Sequence, residues 1–185
     1  MVSTENVFYN PRGKRDDAAA VRRKFISREG DHLTLLAVLR AFAALPRREQ
    51  GQWAADNFIN PRALRKAQEI AGQLEAQLSA LGLPLLSCGD DSEPLRRALT
   101  AGLFPHAARR QPDGSYRVIA TGQPVALHPS SALSQRRPDC VVFNELVRTT
   151  KQYARDVCAI EARWLPELAP AFFAARAGAG VAAGT

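Results

Sequence analysis

Apolar residues recur at helical spacing through the first half of the chain and at strand spacing through the second, with the change near Pro105. Leu35, Val38, Leu39 and Phe42 stand at i, i+3, i+4 and i+7, so they share one face of a helix that Asp31 caps and Pro46 ends. A shorter helical stretch around 50–58 offers Trp53 and Phe58 as anchors. Asn60-Pro61 then supplies an N-cap and the residue best suited to a first helical position. From there Leu64, Ala67, Ala71, Leu74, Leu78 and Leu81 step alternately by four and three along a single seam that ends at Gly82. Residues 1–30 read as a polar, extended lead-in with a short exposed helix, and a further helix is expected over 92–103, capped by Ser92 and packed through Leu95 and Leu99.

Beyond Pro105 the period is two. A strand over 106–110 leads into the Pro112-Asp113-Gly114 turn, after which Tyr116, Val118 and Ala120 alternate with Arg117 and Ile119. Further strands are expected over 125–127, 140–147 and 150–160, the last two joined tightly around Arg148-Thr149. Five short strands with a longer connection between the third and fourth are compatible with a partly open barrel such as an OB-fold, and equally with other small barrels. Trp164, Leu165, Leu168, Phe172 and Phe173 suggest a short helix packing back on the barrel, and 174–185 reads as a frayed, disordered tail.

With 185 residues, 46% hydrophobic and 23% charged, the chain can bury one ordinary core or two small ones. Its formal charge of +7 favours polyanions, of which nucleic acid is the commonest. Cys88, Cys140 and Cys158 are widely spaced and form no CxxC pair, so neither a disulfide framework nor a zinc site is suggested, and an intracellular, reducing compartment fits best. No apolar stretch approaches the roughly 18 residues of a membrane span, and the N-terminus lacks the apolar core of a signal peptide.

Phosphate-loop, GxSxG and HExxH motifs are missing, and His32, His106 and His128 lie far apart in sequence, so binding chemistry is what remains. Arg62, Arg65 and Lys66 project from the start of the helix opened by Pro61, where the dipole disfavours cations unless an anion is near. A phosphate or plain solvent satisfies them equally. In the second half, His128-Pro129-Ser130-Ser131 precedes the basic Arg136-Arg137, and Lys151 and Arg155 lie on the last strand. Small hydroxyl residues beside a proline leave backbone N–H groups open to a phosphate, although Ser130 capping a short turn explains the same residues. Tyr116, Phe143 and Tyr153 are candidates either for base stacking or for the barrel core.

Taken in order, NVFYNPR, GDHLTLLAV, NFINPRALRKAQEI, LSCG, HPSSAL, VVFNELVRTTKQY and WLPELAPAFF closely resemble the C-terminal region of DEAH-box RNA helicases across nearly the whole chain. The resemblance implies an α+β architecture: a helical bundle segment followed by a five-stranded antiparallel OB-fold barrel with flanking helices. The ratchet-like, helicase-associated segment falls on 31–82 and the OB-fold with its helices on 83–173. The implied role is to line a single-stranded RNA channel together with a RecA-like helicase core that has no counterpart here, in RNA processing such as mRNA splicing or in ribosome biogenesis. ATP and Mg belong to the parent helicase; no cofactor is expected in this chain, which should be inactive alone. Ser130, Ser131, Lys151, Arg62 and Arg65 are the positions to which the resemblance assigns RNA contact, with Arg155 added from its place on the last strand. Asp31 and His32 read as helix-start and packing residues. A G-patch activator docking on the OB surface is the implied alternative partner, and nucleus, nucleolus or cytoplasm the implied location.

Overall fold

The structure is a computed structural model that describes residues 6–174, so the tail expected over 174–185 lies, from 175 on, outside the described residues. The chain divides into two compact units, one of residues up to 27 with 32–87, the other of 28–31 with 88 onward.

In the first unit the helices are α1 (Arg15–Arg22), α2 (Asp31–Ala43, whose first residue belongs with the second unit), α3 (Arg47–Asp56) and α4 (Pro61–Ala80). Val38 and Phe42 of α2, Ala54 of α3, and Ala63 and Leu64 of α4 are buried together with Val7 and Ile59. The Asn60 side chain accepts from the N–H groups of Arg62 and Ala63, so the expected cap and its following proline open α4. α3 begins at Arg47 and stops at Asp56, earlier at both ends than the spacing suggested.

Residues 7–9 are tied into this unit: Val7 is buried, Phe8 bridges Ile59, Asn60 N–H donates to the Val7 carbonyl and Tyr9 N–H to the Phe58 carbonyl. The α4 seam, in turn, is buried only at Leu64 and Ala67, whereas Leu74 is 54% and Leu81 74% exposed. With 20 residues, α4 is longer than α2 at 13 and α3 at 10, and its residues from Gly72 to Ala80 are exposed.

The second unit comprises α5 (Glu93–Leu103), β1 (Ala107–Arg110), β2 (Tyr116–Val118), β3 (Pro124–Leu127), β4 (Cys140–Arg148), β5 (Gln152–Ala159) and α6 (Trp164–Leu168). The strands close a barrel in the order β1-β2-β3-β5-β4 around Ala108, Tyr116, Val118, Val125, Leu133, Val141, Phe143, Ala154 and Val157. Four pairings are antiparallel, but β3 meets β5 in parallel, which corrects the wholly antiparallel expectation. Parity is the reason: a closed ring of five strands cannot alternate direction at every seam. Ser92 does not cap α5; its hydroxyl donates to Glu29, and Asp91 accepts from Glu93 N–H instead. α6 seats Trp164 in the interior, with the guanidinium groups of Arg96 and Arg97 at 5.1 and 5.5 Å from its ring.

β3 pairs with β5 only at Ala126 and Leu127, and the chain covers β5 beyond that point with residues 29–31. Ala159 N–H donates to the Glu29 carbonyl at 2.8 Å, and Gly30 bridges Cys158. Gly30 has φ +127, and a Cβ there would stand 2.2 Å from the Val157 carbonyl oxygen, so only glycine admits this approach.

Candidate nucleic-acid interface

Residues 128–134 leave the end of β3 as a tightly bonded loop. Ala132 N–H donates to Asp31 Oδ1 at 2.7 Å, and the other carboxylate oxygen accepts from Val157 N–H at 2.8 Å. Asp31 thus ties this loop to β5, a role that reading it as a helix-start residue missed. The side chain of Ser131 is buried and its Oγ accepts from Leu133 N–H, while its own N–H donates to the His128 carbonyl. Ser130 N–H donates to His128 Nδ1 at 3.2 Å, and Ser130 Oγ lies 2.7 Å from the same nitrogen. Every N–H from Ser130 to Ser134 is therefore engaged within the protein, and the open N–H groups expected here are taken.

A different part of the barrel is open. A groove of about 760 Å³ runs over β2 and β3, bounded by the β1–β2 turn at Asp113-Gly114-Ser115, by Ser134 and Arg137, and by the β4–β5 turn from Arg148 to Gln152. Arg148 pairs with Gln152 at the end of the hairpin, and Thr149 N–H donates to the Lys151 carbonyl, so the tight turn brings both cations to the rim. Arg137 has φ 46, a left-handed conformation unusual for a long side chain, held by its N–H bond to the Leu133 carbonyl. Among the described residues no carboxylate pairs with Arg137, Arg148 or Lys151. The groove's own acid, Asp113, accepts from the N–H and hydroxyl of Ser115, and those bonds hold its carboxyl below the usual range.

Aromatic groups do not stand free in this groove. Tyr116 borders it but is buried; its hydroxyl donates to the Pro138 carbonyl and burial pushes its pKa up to about 12. Phe143 is a core residue stacked by His106, and Tyr153 meets His128 edge-on at 5.7 Å.

Of the six positions expected to contact RNA, Lys151 lines the groove, as do Arg137 of the basic loop and the stacking candidate Tyr116; Ser130, Ser131 and Arg155 do not. Arg155 lies opposite Glu145 on β4 and forms an ion pair with it at 3.4 Å. Arg62 is exposed and Arg65 half-buried at the start of α4 in the other unit, and Lys66 pairs with Glu69 at 3.4 Å. Arg148 was legible only as a turn residue and Arg137 only as part of a basic loop; a cation on each side of a tight hairpin turn was the signal available for the first. Cys140 and Cys158 are buried, which raises their thiols to about 11 and about 12. No group of His, Cys, Asp and Glu that could hold a metal ion occurs among the described residues, and none of their helices is long and apolar enough to cross a membrane.

Comparison with known proteins converges on the same region. Residues 95–172 match the family described as oligonucleotide/oligosaccharide-binding (OB)-fold. The chain is 42% identical over 173 residues to the ATP-dependent RNA helicase DHX33 of Homo sapiens, covering 94% of this chain and 24% of that protein. It is 39% identical over 185 residues to the pre-mRNA-splicing factor ATP-dependent RNA helicase DEAH10 of Arabidopsis thaliana, covering 94% of this chain and 26% of that protein. A further relative, the probable ATP-dependent RNA helicase DHX35 of Pongo abelii, is 38% identical over 174 residues, 94% of this chain and 24% of the relative. The chain thus spans about a quarter of the length of the curated relatives it matches. Together with the five-stranded barrel, these matches make residues 95–172 similar to the OB-fold family and the chain as a whole similar to about a quarter of the length of ATP-dependent RNA helicases.

Proposed function

We propose that the groove over β2 and β3 holds the phosphate backbone of single-stranded RNA, as the RNA-channel and regulatory part of an ATP-dependent helicase. The observation that carries the reading is the convergence of Arg137, Arg148 and Lys151, without a carboxylate partner among the described residues, on one face of the barrel. That face, with the β1–β2 and β4–β5 turns at its ends, is where OB-folds in general take oligonucleotides. Arg62 and Arg65 form a second cationic site in the first unit, and Ser130, Ser131 and Arg155 serve the scaffold around the groove. ATP and Mg chemistry resides in the part of the relatives' length that these residues do not match. The similarity to ATP-dependent RNA helicases, one of them a pre-mRNA-splicing factor, supports work on RNA, with pre-mRNA splicing or ribosome assembly in the nucleus or nucleolus as the proposed setting.

Fluorescence anisotropy of labelled single-stranded RNA across a salt series tests the reading. Three neutralised phosphates give a log–log slope of about −2, since each contributes roughly 0.7 on single strands. Binding that ignores salt, or none even at low ionic strength, overturns it. A second reading is that the OB surface of residues 95–172 docks a G-patch-type activator while RNA is held mainly by helicase domains that this chain does not match. A pull-down with a G-patch peptide, set beside Lys151→Ala and Arg62→Ala variants that leave RNA affinity intact, is the result that favours it.

A further inference from the structure

α3 ends with Ile59 N–H donating to the Ala54 carbonyl at 2.9 Å and Phe58 N–H to the Ala55 carbonyl at 3.2 Å, the paired bonds that commonly close a helix. The residue at the centre of that closure adopts the left-handed conformation and is usually glycine, sometimes asparagine. Here it is Phe58, at φ 53, where a bulky side chain is an outlier. A position in the core would account for such a residue, but Phe58 is only half-buried and outside the buried cluster of its unit. Its ring instead meets Tyr9 edge-on, with centroids 6.0 Å apart and planes at 71°. Tyr9 is 41% exposed, and its backbone is fixed by its N–H bond to the Phe58 carbonyl. The neighbouring Phe8 lies under the Arg22 guanidinium at 4.4 Å, and Arg22 also donates to the Asn10 side chain at 3.0 Å, which ties the residues on either side of Tyr9 to α1.

Two rings are thus kept at the surface of the first unit, one of them against the preference of its own backbone. Arg12 follows Tyr9 by three residues and Arg62 follows Phe58 by four, and neither forms an ion pair among the described residues. An aromatic corner with such cations three and four residues along the chain has the chemistry of a single-strand site, in which a base stacks while its phosphates are neutralised. The geometry points to the Tyr9–Phe58 corner as a stacking site for an unpaired nucleobase. This rests on the RNA-binding reading above and extends it: the barrel groove grips backbone only, and discrimination of bases from bare backbone resides in the first unit.

The test measures binding of the full chain to a short adenosine strand and to an abasic ribose-phosphate strand of equal length. The intact chain binds the adenosine strand about tenfold more tightly, the usual worth of one stacked base. Phe58→Gly and Tyr9→Leu each erase that difference without changing affinity for the abasic strand. Phe58→Gly also keeps or raises the thermal midpoint, because it supplies the residue that the helix closure favours. Equal affinity of the intact chain for both strands overturns the inference while leaving the RNA reading standing, and assigns the corner to an apolar side chain of a protein partner. A lowered midpoint in Phe58→Gly, with the tenfold difference preserved in Tyr9→Leu, overturns it in favour of a purely structural aromatic pair. Failure to bind either strand overturns the RNA reading and this inference with it.

Discussion

The 128–134 loop and the groove bordered by Lys151 belong to the same barrel, and both are rich in groups that could meet a phosphate. In the loop, every N–H from Ser130 to Ser134 and both oxygens of Asp31 are already engaged. In the groove, Arg137, Arg148 and Lys151 face solvent with no acid paired to them among the described residues. Polar composition is therefore a poor guide to a binding surface; the informative quantity is which polar groups the fold leaves unsatisfied. The loop's chemistry is spent on holding the barrel together, and the groove's remains available.

Breaking the closed side should have the largest effect. Gly30→Ala forces a Cβ to within 2.2 Å of the Val157 carbonyl at a backbone angle that disfavours side chains, so the strap must lift from β5. A loss of about 3 kcal/mol or more is expected in urea unfolding. Asp31→Ala comes next, because it strips the acceptor from the N–H groups of both Ala132 and Val157. Its expected cost is about 2–3 kcal/mol, with Asp31→Asn, which keeps one acceptor oxygen, intermediate. If Asp31→Ala unfolds at the same urea concentration as the parent, the two bonds contribute nothing and the contrast between the regions collapses.

The open side should respond in binding and not in stability. Replacing Arg137, Arg148 and Lys151 together by alanine should weaken single-stranded RNA binding at low salt by about tenfold or more and flatten the salt slope by about 2. Their exposure predicts a stability change within about 0.5 kcal/mol. Ser130→Ala should leave RNA affinity unchanged, and Arg155→Ala should lose only the half-exposed pair with Glu145. A Ser130→Ala variant as defective as the triple variant would reverse the assignment of the two regions.

Much of the fold was legible because it follows from local rules. Asn60-Pro61 opens α4 through the expected cap, and the Pro112-Asp113-Gly114 turn joins β1 to β2. What was illegible depends on partners distant in the chain. Nothing in the α4 pattern says that Leu74 and Leu81 stand exposed, since a seam specifies a face and not its occupant. The parallel β3–β5 seam follows from ring closure, a property of five strands jointly and of no single one. The candidate site was read from residue type, so Ser130 and Ser131 were assigned RNA contact, whereas Arg137 was noted only as part of a basic loop. Whether an N–H is free depends on Asp31, about a hundred residues away, which no local window contains.

The smallest predicted effect concerns Asp156, beside the point where Asp31 grips β5. Asp156 has φ 52, and its carboxyl pKa is raised first by burial and then by the charge of Asp31. A carboxyl raised in the folded state makes its most favourable contribution below the ordinary aspartate range and loses it as pH climbs through the native value. At neutral pH the charged form therefore burdens the native state, and Asp156→Asn removes that burden with a residue that tolerates the left-handed conformation. The variant should show a small rise in thermal midpoint at pH 7, and the two melting curves should converge as pH falls toward 4 and below. A variant less stable than the parent at pH 7 would mean that the Asp156 charge is engaged in a favourable bond. The closed side of the barrel would then hold two working carboxylates where the geometry shows one.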